Sequence, residues 1–382
     1  RLKVRVGRKR GDGRIAHIID VLEPGDGRVE PPCRHFSRCG GCSLQHLSEE
    51  SLGGLKSGIL EQALGQHGIR NFELAPAVTV PSGLRRRAEF AISHGRNTTI
   101  GFHRAGKASS IVELEECAVV IPKIAELLPK LRALCQMTRL GDIASDMRIT
   151  KTDTGFDVLI AARGHREPDA ECRQEIAEFA ERLDIARISW ADRNGVEPLV
   201  VRRRPILHFG PAALKLPERY FLQPSVEGER TIVDLTRPAI AGAKRIADLY
   251  AGLGSLSFPM TANAKVTAFE LDEAMVAAAR HASSGLSLAV EQRDLARSPL
   301  TEPELKAFDA VVFDPPRAGA RGQANNLARS KVPLIVAVSC NPSTLARDLR
   351  ILLDGGYRID QITPVDQFTW SAELEAVAIL RR

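Results

Sequence analysis

The chain of 382 residues has no apolar run approaching the ~18 residues that a membrane-spanning helix needs. Its N-terminal stretch is polar and basic, and no apolar segment follows it as in a secretory signal. We therefore expect neither a membrane span nor a cleavable signal peptide.

The chain also lacks an even number of cysteines, since it has 7. In a long chain without a signal, an odd count argues against a secreted disulfide framework and favours the reducing cytoplasm. Disorder and fibrous repeats are excluded as well, because 44% hydrophobic and 26% charged residues are ordinary globular proportions. At about 150 residues per domain, the length predicts roughly two to three domains.

Lysine and arginine outnumber aspartate and glutamate by 53 to 47, and this excess is clustered. The densest cluster lies in residues 1–14, and arginine triplets recur at 85–87 and 202–204. Such clusters suit a polyphosphate partner, although solvated surface charge explains them equally well. Charge alone therefore leaves a nucleic-acid partner open.

Three of the cysteines, Cys33, Cys39 and Cys42, crowd into a turn-rich loop. Their C-x5-C-x2-C spacing is a ligand pattern. Together with a fourth thiolate they could hold either zinc or a [4Fe-4S] cluster, and the spacing does not choose between the two. Cys135 and Cys172 lie in predicted helices, where we expect packing roles.

Hydrophobic periodicity divides the chain into three parts. Residues 1–30 alternate short apolar runs with glycine and charge, which predicts small β-strands with basic faces. Residues 31–235 predict a central α/β domain that carries the cysteine loop. In residues 236–382, five strand-like runs alternate with helices and predict a doubly wound parallel sheet, whose ligands bind at the carboxyl ends of the strands.

The predicted elements can be given by range. The strands are 88–92, 147–150, 156–162, 188–190 and 199–201 in the central part and 246–250, 266–271, 288–292, 310–313 and 334–339 in the last part. The helices are 51–68, 122–137, 170–183, 273–281 and 342–353.

The first strand of the predicted sheet leads into a turn with Gly252 and Gly254, where a ligand can approach the backbone closely. Glu270 ends the second strand, where an acid can accept hydrogen bonds from both hydroxyls of a ribose. A dinucleotide site would need a third glycine, but Ser257 stands in its place, so the spacing favours S-adenosylmethionine. Asp294, after the third strand, is placed to accept from an adenine amine.

The fourth strand ends in the rarer string Asp314-Pro315-Pro316-Arg317, in which two prolines stiffen the loop. An N6-adenine methyltransferase resembles this string but has an aromatic residue after the prolines, which stacks on the flipped base. Arg317 occupies that place here, so methylation of the adenine amine is disfavoured.

The fifth strand ends at Cys340, before an Asn341-Pro342 break. A cysteine at the end of an apolar strand is most often a small packing residue. Cys340, however, falls at the carboxyl edge of the predicted sheet beside the Asp314 loop, and the break favours a side chain that faces the crevice. A thiol in that place suits covalent catalysis.

Residues 31–382 resemble the bacterial S-adenosylmethionine-dependent RNA uracil-5-methyltransferases, in particular their iron-sulfur-containing 23S rRNA branch. The strings that carry the resemblance are Cys33-x5-Cys39-Gly40-Gly41-Cys42, Phe221-Leu222-Gln223-Pro224, Asp248-Leu249-Tyr250-x-Gly252-x-Gly254, Asp314-Pro315-Pro316-Arg317, Ser339-Cys340-Asn341-Pro342 and Leu374-Glu375. Residues 1–30 resemble the latter half of the small β-barrel RNA-binding module often found at the N-terminus of this family, and we expect the front half to be absent from this sequence.

The resemblance also implies the catalytic residues. Uracil C5 is a poor carbon nucleophile, but a thiolate that adds at C6 turns the ring into an enolate whose C5 can attack the sulfonium methyl, and Cys340 is the implied thiolate. A general base must then remove the C5 proton so that the thiolate can leave. Glu375 matches the family's base, and Glu373 is a rival because the two would share one face of a strand.

By the same matching, a set of residues is expected to contact S-adenosylmethionine: Gln223, Tyr250, Ser255, Glu270, Asp294 and Asp314. Ser255 and Asp294 depart from the family, which often has asparagine at both positions. Phe221 either stacks on a splayed RNA base or packs in the core, since aromatic residues make up only 5% of the chain.

The resemblance adds Cys117 as the fourth ligand beside Cys33, Cys39 and Cys42, and it favours a [4Fe-4S] cluster over zinc. We expect the cluster to be structural or to face the RNA, because this methyl transfer needs no electron. The predicted function is formation of 5-methyluridine in 23S rRNA by a cytoplasmic monomer, with an unstacked target uracil and with phosphates held by residues 1–14 and 85–87. The same reaction on tRNA and an iron-sulfur RNA-binding protein without catalysis are the alternatives.

Overall fold

The computed structural model describes residues 1–93 and 98–382. It begins with an antiparallel hairpin of β1 (Leu2–Arg10) and β2 (Gly13–Val21), whose basic and apolar side chains are nearly all exposed. These two strands agree with the β-structure expected for residues 1–30.

Helix α1 (Glu49–Gln66) follows the cysteine loop, close to the predicted helix 51–68. Ser48 caps this helix by accepting a hydrogen bond from the Ser51 amide, which satisfies one donor that the first turn leaves free. After α1 comes β3 (Val78–Thr79), a short strand at one edge of the C-terminal sheet.

The central part of the chain contains the strands and helices predicted for it, together with further elements. Its strands are β4 (Arg87–Ile92), β5 (Ile100–Arg104), β6 (Lys107–Glu113), β7 (Ala144–Thr152), β8 (Gly155–Ala162), β9 (Ile185–Ala191) and β10 (Val196–Val201), and its helices are α2 (Pro122–Met137), α3 (Leu140–Ile143) and α4 (Ala170–Arg182). They form a seven-stranded sheet in the order β10-β9-β8-β7-β4-β5-β6. The β8–β9 pair is parallel, with α4 as the crossover, and the other pairs described for this sheet are antiparallel.

The remaining elements belong to the C-terminal half. They are β11 (Ile206–Phe209), β12 (Ala212–Lys215), α5 (Val226–Ala239), β13 (Arg245–Leu249), α6 (Ser257–Met260), β14 (Lys265–Glu270), α7 (Glu273–Ala282), β15 (Leu288–Gln292), α8 (Glu302–Leu305), β16 (Ala310–Phe313), α9 (Arg321–Arg329), β17 (Leu334–Ser339), α10 (Pro342–Asp354), β18 (Arg358–Asp366) and β19 (Glu375–Arg381).

The C-terminal sheet has eight strands in the order β15-β14-β13-β16-β17-β19-β18-β3. The five predicted strands, β13 to β17, pair in parallel as expected for a doubly wound sheet. The expectation of an all-parallel sheet is incomplete, because β19 inserts between β17 and β18 and runs antiparallel to both. Because β19 is antiparallel to β17, its first residues lie at the carboxyl edge of β17, where Ala376 pairs with Ser339.

Segments that precede residue 236 also pack against the C-terminal sheet. Leu64 of α1 shares a buried core with Leu249, and Phe209 of β11 shares another with Ile246. The predicted boundary at residue 235 falls inside α5. The division into three domains stays a prediction. Among the described residues, no helix is both long and apolar enough to cross a membrane.

Lys56 of α1 and Asp366 at the end of β18 form a buried ion pair, and Lys56 Nζ also donates to the Phe368 carbonyl at 3.1 Å. The Lys56→Met variant would leave the Asp366 carboxylate buried without its cation. We expect this variant to lose about 3–5 kcal/mol of unfolding free energy in urea denaturation.

The control for this prediction is the double variant Lys56→Met/Asp366→Leu. It removes both charges and should recover most of the lost stability. A single variant as stable as the wild type would show that the pair does not anchor α1 to the loop after β18.

Candidate active site

The ends of three strands bring acidic and thiol side chains to one edge of the C-terminal sheet. Asp314 directly follows β16, and Cys340 directly follows β17. Glu375 is the first residue of β19, and the pairing of Ser339 with Ala376 places Glu375 opposite Cys340 in the next register position. The predicted nucleophile and base therefore lie across from each other on neighbouring strands.

The Cys340 thiol is half-buried, and burial raises its pKa to about 11. The negative charges of Glu375 and Asp314 raise the pKa further, whereas the Arg317 guanidinium lowers it. At neutral pH the free thiol is therefore protonated, and a base or a bound substrate must assist its ionisation.

The Glu375 carboxyl is almost completely buried, and burial together with the charge of Asp314 raises its pKa well above the usual value. Its Oε2 accepts a hydrogen bond from Gln367 Nε2 at 3.0 Å, which favours the ionised form. Its Oε1 has no hydrogen-bond partner among the residues that the structure describes. A buried carboxylate with one free oxygen can accept a proton from a bound substrate.

Gln223 connects this pair to the Asp314 loop. Its buried side chain donates from Nε2 to Asp314 Oδ2 at 3.2 Å, and its Oε1 accepts from Gln367 Nε2 at 2.9 Å. Burial raises the pKa of Asp314 to about 6, while the bond from Gln223 lowers it. Gln223 and Asp314 thus belong to the same polar cluster as Glu375.

The glycine turn after β13 lies beside the end of β14. Tyr250, Gly252 and Gly254 all adopt positive φ, and a Cβ on Gly254 would come within 2.8 Å of the Phe258 ring. Glu270 fixes this turn, because its Oε2 accepts from the Gly252 amide at 2.8 Å and its Oε1 from the Asp272 amide at 2.9 Å. The turn leaves the backbone open to a ligand at this edge.

Two of the remaining predicted cofactor residues line the same edge. Asp294 follows β15 and accepts hydrogen bonds from the amides of Ala296 and Arg297. Burial raises the pKa of Tyr250 to about 12, and the charges of Asp348 and Asp294 add to this increase. Ser255 lies half-buried in the glycine turn. Apart from Gln223, which precedes α5, the predicted set thus lies at the carboxyl ends of β13, β14, β15 and β16.

Glu373 does not lie in β19, and the expectation that it shares a strand face with Glu375 is wrong. β19 begins only at Glu375, and Glu373 lies in the preceding loop with an exposed side chain. Its carboxylate pairs with the Arg317 guanidinium at 3.0 Å. Glu373 is therefore outside the buried polar cluster.

The arginine run 85–87 does not form one basic surface. Arg86 is buried and pairs with Glu229 at 2.7 Å, so the expectation that the whole run holds phosphates is wrong for this residue. The Arg87 guanidinium instead lies 5.0 Å from the centre of the Phe221 ring. Phe221 is exposed, which excludes the core role and leaves its ring accessible.

All four predicted ligand cysteines line one pocket with His35, although Cys117 comes from the loop after β6. Burial raises the pKa of Cys42 to about 11. In residues 1–93 and 98–382, no three or more His, Cys, Asp or Glu side chains are arranged closely enough to hold a metal ion. The set of donors suits a thiolate-bound metal, but their present arrangement is not a coordination shell.

The cysteine loop is hydrogen-bonded to the loop that precedes Glu375, the predicted base. The amides of Ser43 and Leu44 each donate to the Trp370 carbonyl at 2.9 Å, and Trp370 has a left-handed φ of 63°. Residues 367–374, which lead into Glu375, are thus fixed from both the cysteine loop and α1. Sequence reasoning missed Gln367 and Lys56, since neither stands in a motif.

The family model described as tRNA (Uracil-5-)-methyltransferase matches residues 55–382. The chain belongs to this family. A relative named as an uncharacterized RNA methyltransferase of Brucella suis is 40% identical over 376 residues, which cover 97% of this chain and 89% of the relative. The predicted enzyme class, an S-adenosylmethionine-dependent RNA uracil-5-methyltransferase, is confirmed at the level of the family.

Two further similarities bear on substrate and fold. The 23S rRNA (uracil(1939)-C(5))-methyltransferase RlmD of Halomonas elongata is 31% identical over 404 residues, covering 100% of this chain and 82% of that protein. The crystal structure of Pyrococcus abyssi tRNA (uracil-54, C5)-methyltransferase with S-adenosyl-L-homocysteine matches with a TM-score of 0.75 at 23% identity, covering 98% of this chain and 91% of that one. The latter likeness confirms the predicted methyltransferase fold.

Proposed function

We propose that this enzyme methylates C5 of a uridine in 23S rRNA with S-adenosylmethionine. The observation that carries the proposal is the placement of the Cys340 thiol and the buried Glu375 carboxyl opposite each other on β17 and β19. A thiol nucleophile next to a buried base is what C5 methylation of uracil requires.

Each catalytic residue has one task in the proposed reaction. Cys340 Sγ forms a bond to uracil C6, and the electron pair of the C5–C6 double bond moves towards O4. C5 would then take the methyl group of S-adenosylmethionine held at this edge of the sheet, with the S–CH3 bond broken and S-adenosylhomocysteine left behind. Glu375 then removes the C5 proton, the C5–C6 double bond returns, and the C6–S bond breaks to release the Cys340 thiolate.

We assign the binding of S-adenosylmethionine to the edge formed by the glycine turn and the strand ends beside it. Glu270 would accept from the ribose hydroxyls, and Asp294 from the adenine amine. Tyr250 and Ser255 would line the glycine turn around the cofactor. Gln223 and Asp314 would hold the methyl-donating end of S-adenosylmethionine near Cys340. The positive φ of Gly252 and the open space beside its backbone support this assignment.

We further propose that Cys33, Cys39, Cys42 and Cys117 hold a [4Fe-4S] cluster rather than zinc. Their convergence on one pocket supports the ligand set, and the family resemblance supports the cluster. Anaerobic purification followed by iron, sulfide and zinc analysis tests the proposal. Zinc at one equivalent without iron would contradict it.

RNA as the partner is supported by the exposed Phe221 ring beside Arg87 and by the basic hairpin β1–β2, since exposed aromatic rings can stack on unpaired bases. The name of the Halomonas relative favours 23S rRNA, whereas the name of the family model points to tRNA. The reducing cytoplasm and the monomeric state stay predictions.

The test incubates anaerobically purified protein with S-adenosylmethionine labelled in its methyl group and with separate pools of unmodified rRNA and tRNA. We expect labelled 5-methyluridine, identified by mass spectrometry of the nucleosides, in 23S rRNA alone. Methylation of tRNA alone would show that the substrate is tRNA, the alternative to 23S rRNA. Binding of RNA with no methylation of either pool would favour the non-catalytic alternative.

A further inference from the structure

Gln367 lies between the two carboxyl groups of the site, and none of the catalytic steps above uses it. Its side chain is buried, and its Nε2 donates two hydrogen bonds, to Glu375 Oε2 at 3.0 Å and to Gln223 Oε1 at 2.9 Å. The Nε2 of Gln223 in turn donates a hydrogen bond to Asp314 Oδ2 at 3.2 Å. One chain of amides thus connects the proposed base with the Asp314 loop.

We infer that Gln367 is a positioning residue, which holds one oxygen of Glu375 and turns the other towards the C5 proton. The inference rests on the proposed function, because it concerns the step in which Glu375 acts as the base. It names a residue that acts only through Glu375 and does not touch the substrate.

The orientation of the Gln367 amide follows from its neighbours. Both groups that face its Nε2 are oxygens, so a flipped amide would place three oxygens together and lose both bonds. One Nε2 hydrogen of Gln367 is engaged by Gln223 Oε1 and the other by Glu375 Oε2, and within residues 1–93 and 98–382 no group hydrogen-bonds to Glu375 Oε1. A buried acceptor left free in this way is costly unless a bound ligand or a function uses it.

Gly228 of α5 provides the space that Gln367 needs. A Cβ at residue 228 would come within 2.3 Å of Gln367 Oε1. Gly228 is in a helix and has no positive φ, so alanine would otherwise be the better helix former there. The same Cβ would come within 2.9 Å of Ser225 Oγ, which caps α5, so the absence of a side chain at this position serves the packing of Gln367 first and of the cap second.

The Gln367→Met variant keeps the length of the side chain and removes the amide. The bond from Gln367 favours the ionised form of Glu375, so its loss raises the pKa of Glu375 further and leaves less base at neutral pH. We expect the covalent RNA adduct to form at the wild-type rate but to resolve roughly 10- to 100-fold more slowly at pH 7. Raising the pH to 9 should restore much of the rate.

The measurement is rapid-quench analysis of adduct formation and decay between pH 6 and 9. Gly228→Ala should give the same pH-dependent delay, because it displaces Gln367 without altering it. Two matched controls should behave like the wild type. Gln361→Met replaces a glutamine of β18 outside the site, and Gly58→Ala fills open space on helix α1.

Decay of the adduct at the wild-type rate in both variants would overturn the inference. So would a delay that is equal at every pH, since a purely structural defect does not follow the ionisation of Glu375. If the wild type itself forms no adduct with RNA, the proposed function is wrong. If the wild type reacts as expected and Gln367→Met behaves like it, the proposed function stands and the inference about Gln367 is wrong.

Discussion

Cys340→Ala is expected to abolish methyl transfer and adduct formation while leaving the binding of RNA and S-adenosylmethionine intact. Without the thiol, no bond forms at C6, and C5 stays a poor nucleophile. Loss of a covalent nucleophile lowers turnover by about 10⁴-fold or more. Single-turnover transfer of a labelled methyl group measures the loss, and filter binding measures RNA affinity.

The pH dependence of the wild type provides a second test of Cys340. Burial, Glu375 and Asp314 hold the pKa of the thiol at about 11 in the free enzyme, so the thiolate fraction increases tenfold per pH unit below that value. The rate of adduct formation should therefore increase from pH 6 to pH 9, provided that substrate binding does not itself ionise the Cys340 thiol.

The matched control is Cys172→Ala, which truncates a buried cysteine of α4, a helix of the central part of the chain. This variant should retain methyl transfer. Methylation by Cys340→Ala at near wild-type rates would refute the covalent mechanism. Loss of RNA binding in the same variant would show instead that Cys340 has a structural role.

Residues that directly follow a strand were the most predictable part of this site. Asp314 and Cys340 each end an apolar run, and parallel strands bring their carboxyl ends to one edge of a sheet. Glu270 and the glycine turn follow the same rule. The position of Glu375 opposite Cys340 depends on the pairing of β19 with β17, which local periodicity does not contain.

Contacts between distant segments account for what the sequence could not predict. The bond between Gln223 and Gln367 joins residues 144 apart, and the pair of Lys56 and Asp366 joins residues 310 apart. Glu373 was misplaced because the two-residue strand period was extended into a loop. Arg86 was misplaced because a run of three arginines does not reveal which one meets a buried acid such as Glu229.

The fixed loop between β18 and β19 links these observations. It carries Gln367 at one end and Glu375 at the other, and its Trp370 carbonyl accepts two hydrogen bonds from the cysteine loop. The position of Glu375 therefore depends on segments from both ends of the chain. We propose that the cysteine loop helps to hold the proposed base in place through these contacts, a role that needs no electron transfer.

Glu375→Gln is expected to trap the reaction after methyl transfer. The amide can still accept a bond from Gln367 through its oxygen, so the geometry of the cluster is kept, but it cannot take the C5 proton. Cys340 would add to C6 and C5 would be methylated, and release of the RNA would slow by about 10²- to 10⁴-fold. A denaturing gel should show protein linked to RNA that carries the labelled methyl group.

The sign of the pH effect distinguishes Glu375 from its neighbour Glu373. Burial holds the pKa of Glu375 well above its usual value, so release by the wild type should accelerate as the pH rises, and this dependence should vanish in Glu375→Gln. Glu373→Gln is the matched control, because Glu373 is exposed and pairs with Arg317. It should release RNA normally. If Glu373→Gln accumulates the adduct and Glu375→Gln does not, the base is Glu373. The buried polar cluster around Gln367 then has only a structural role at the sheet edge.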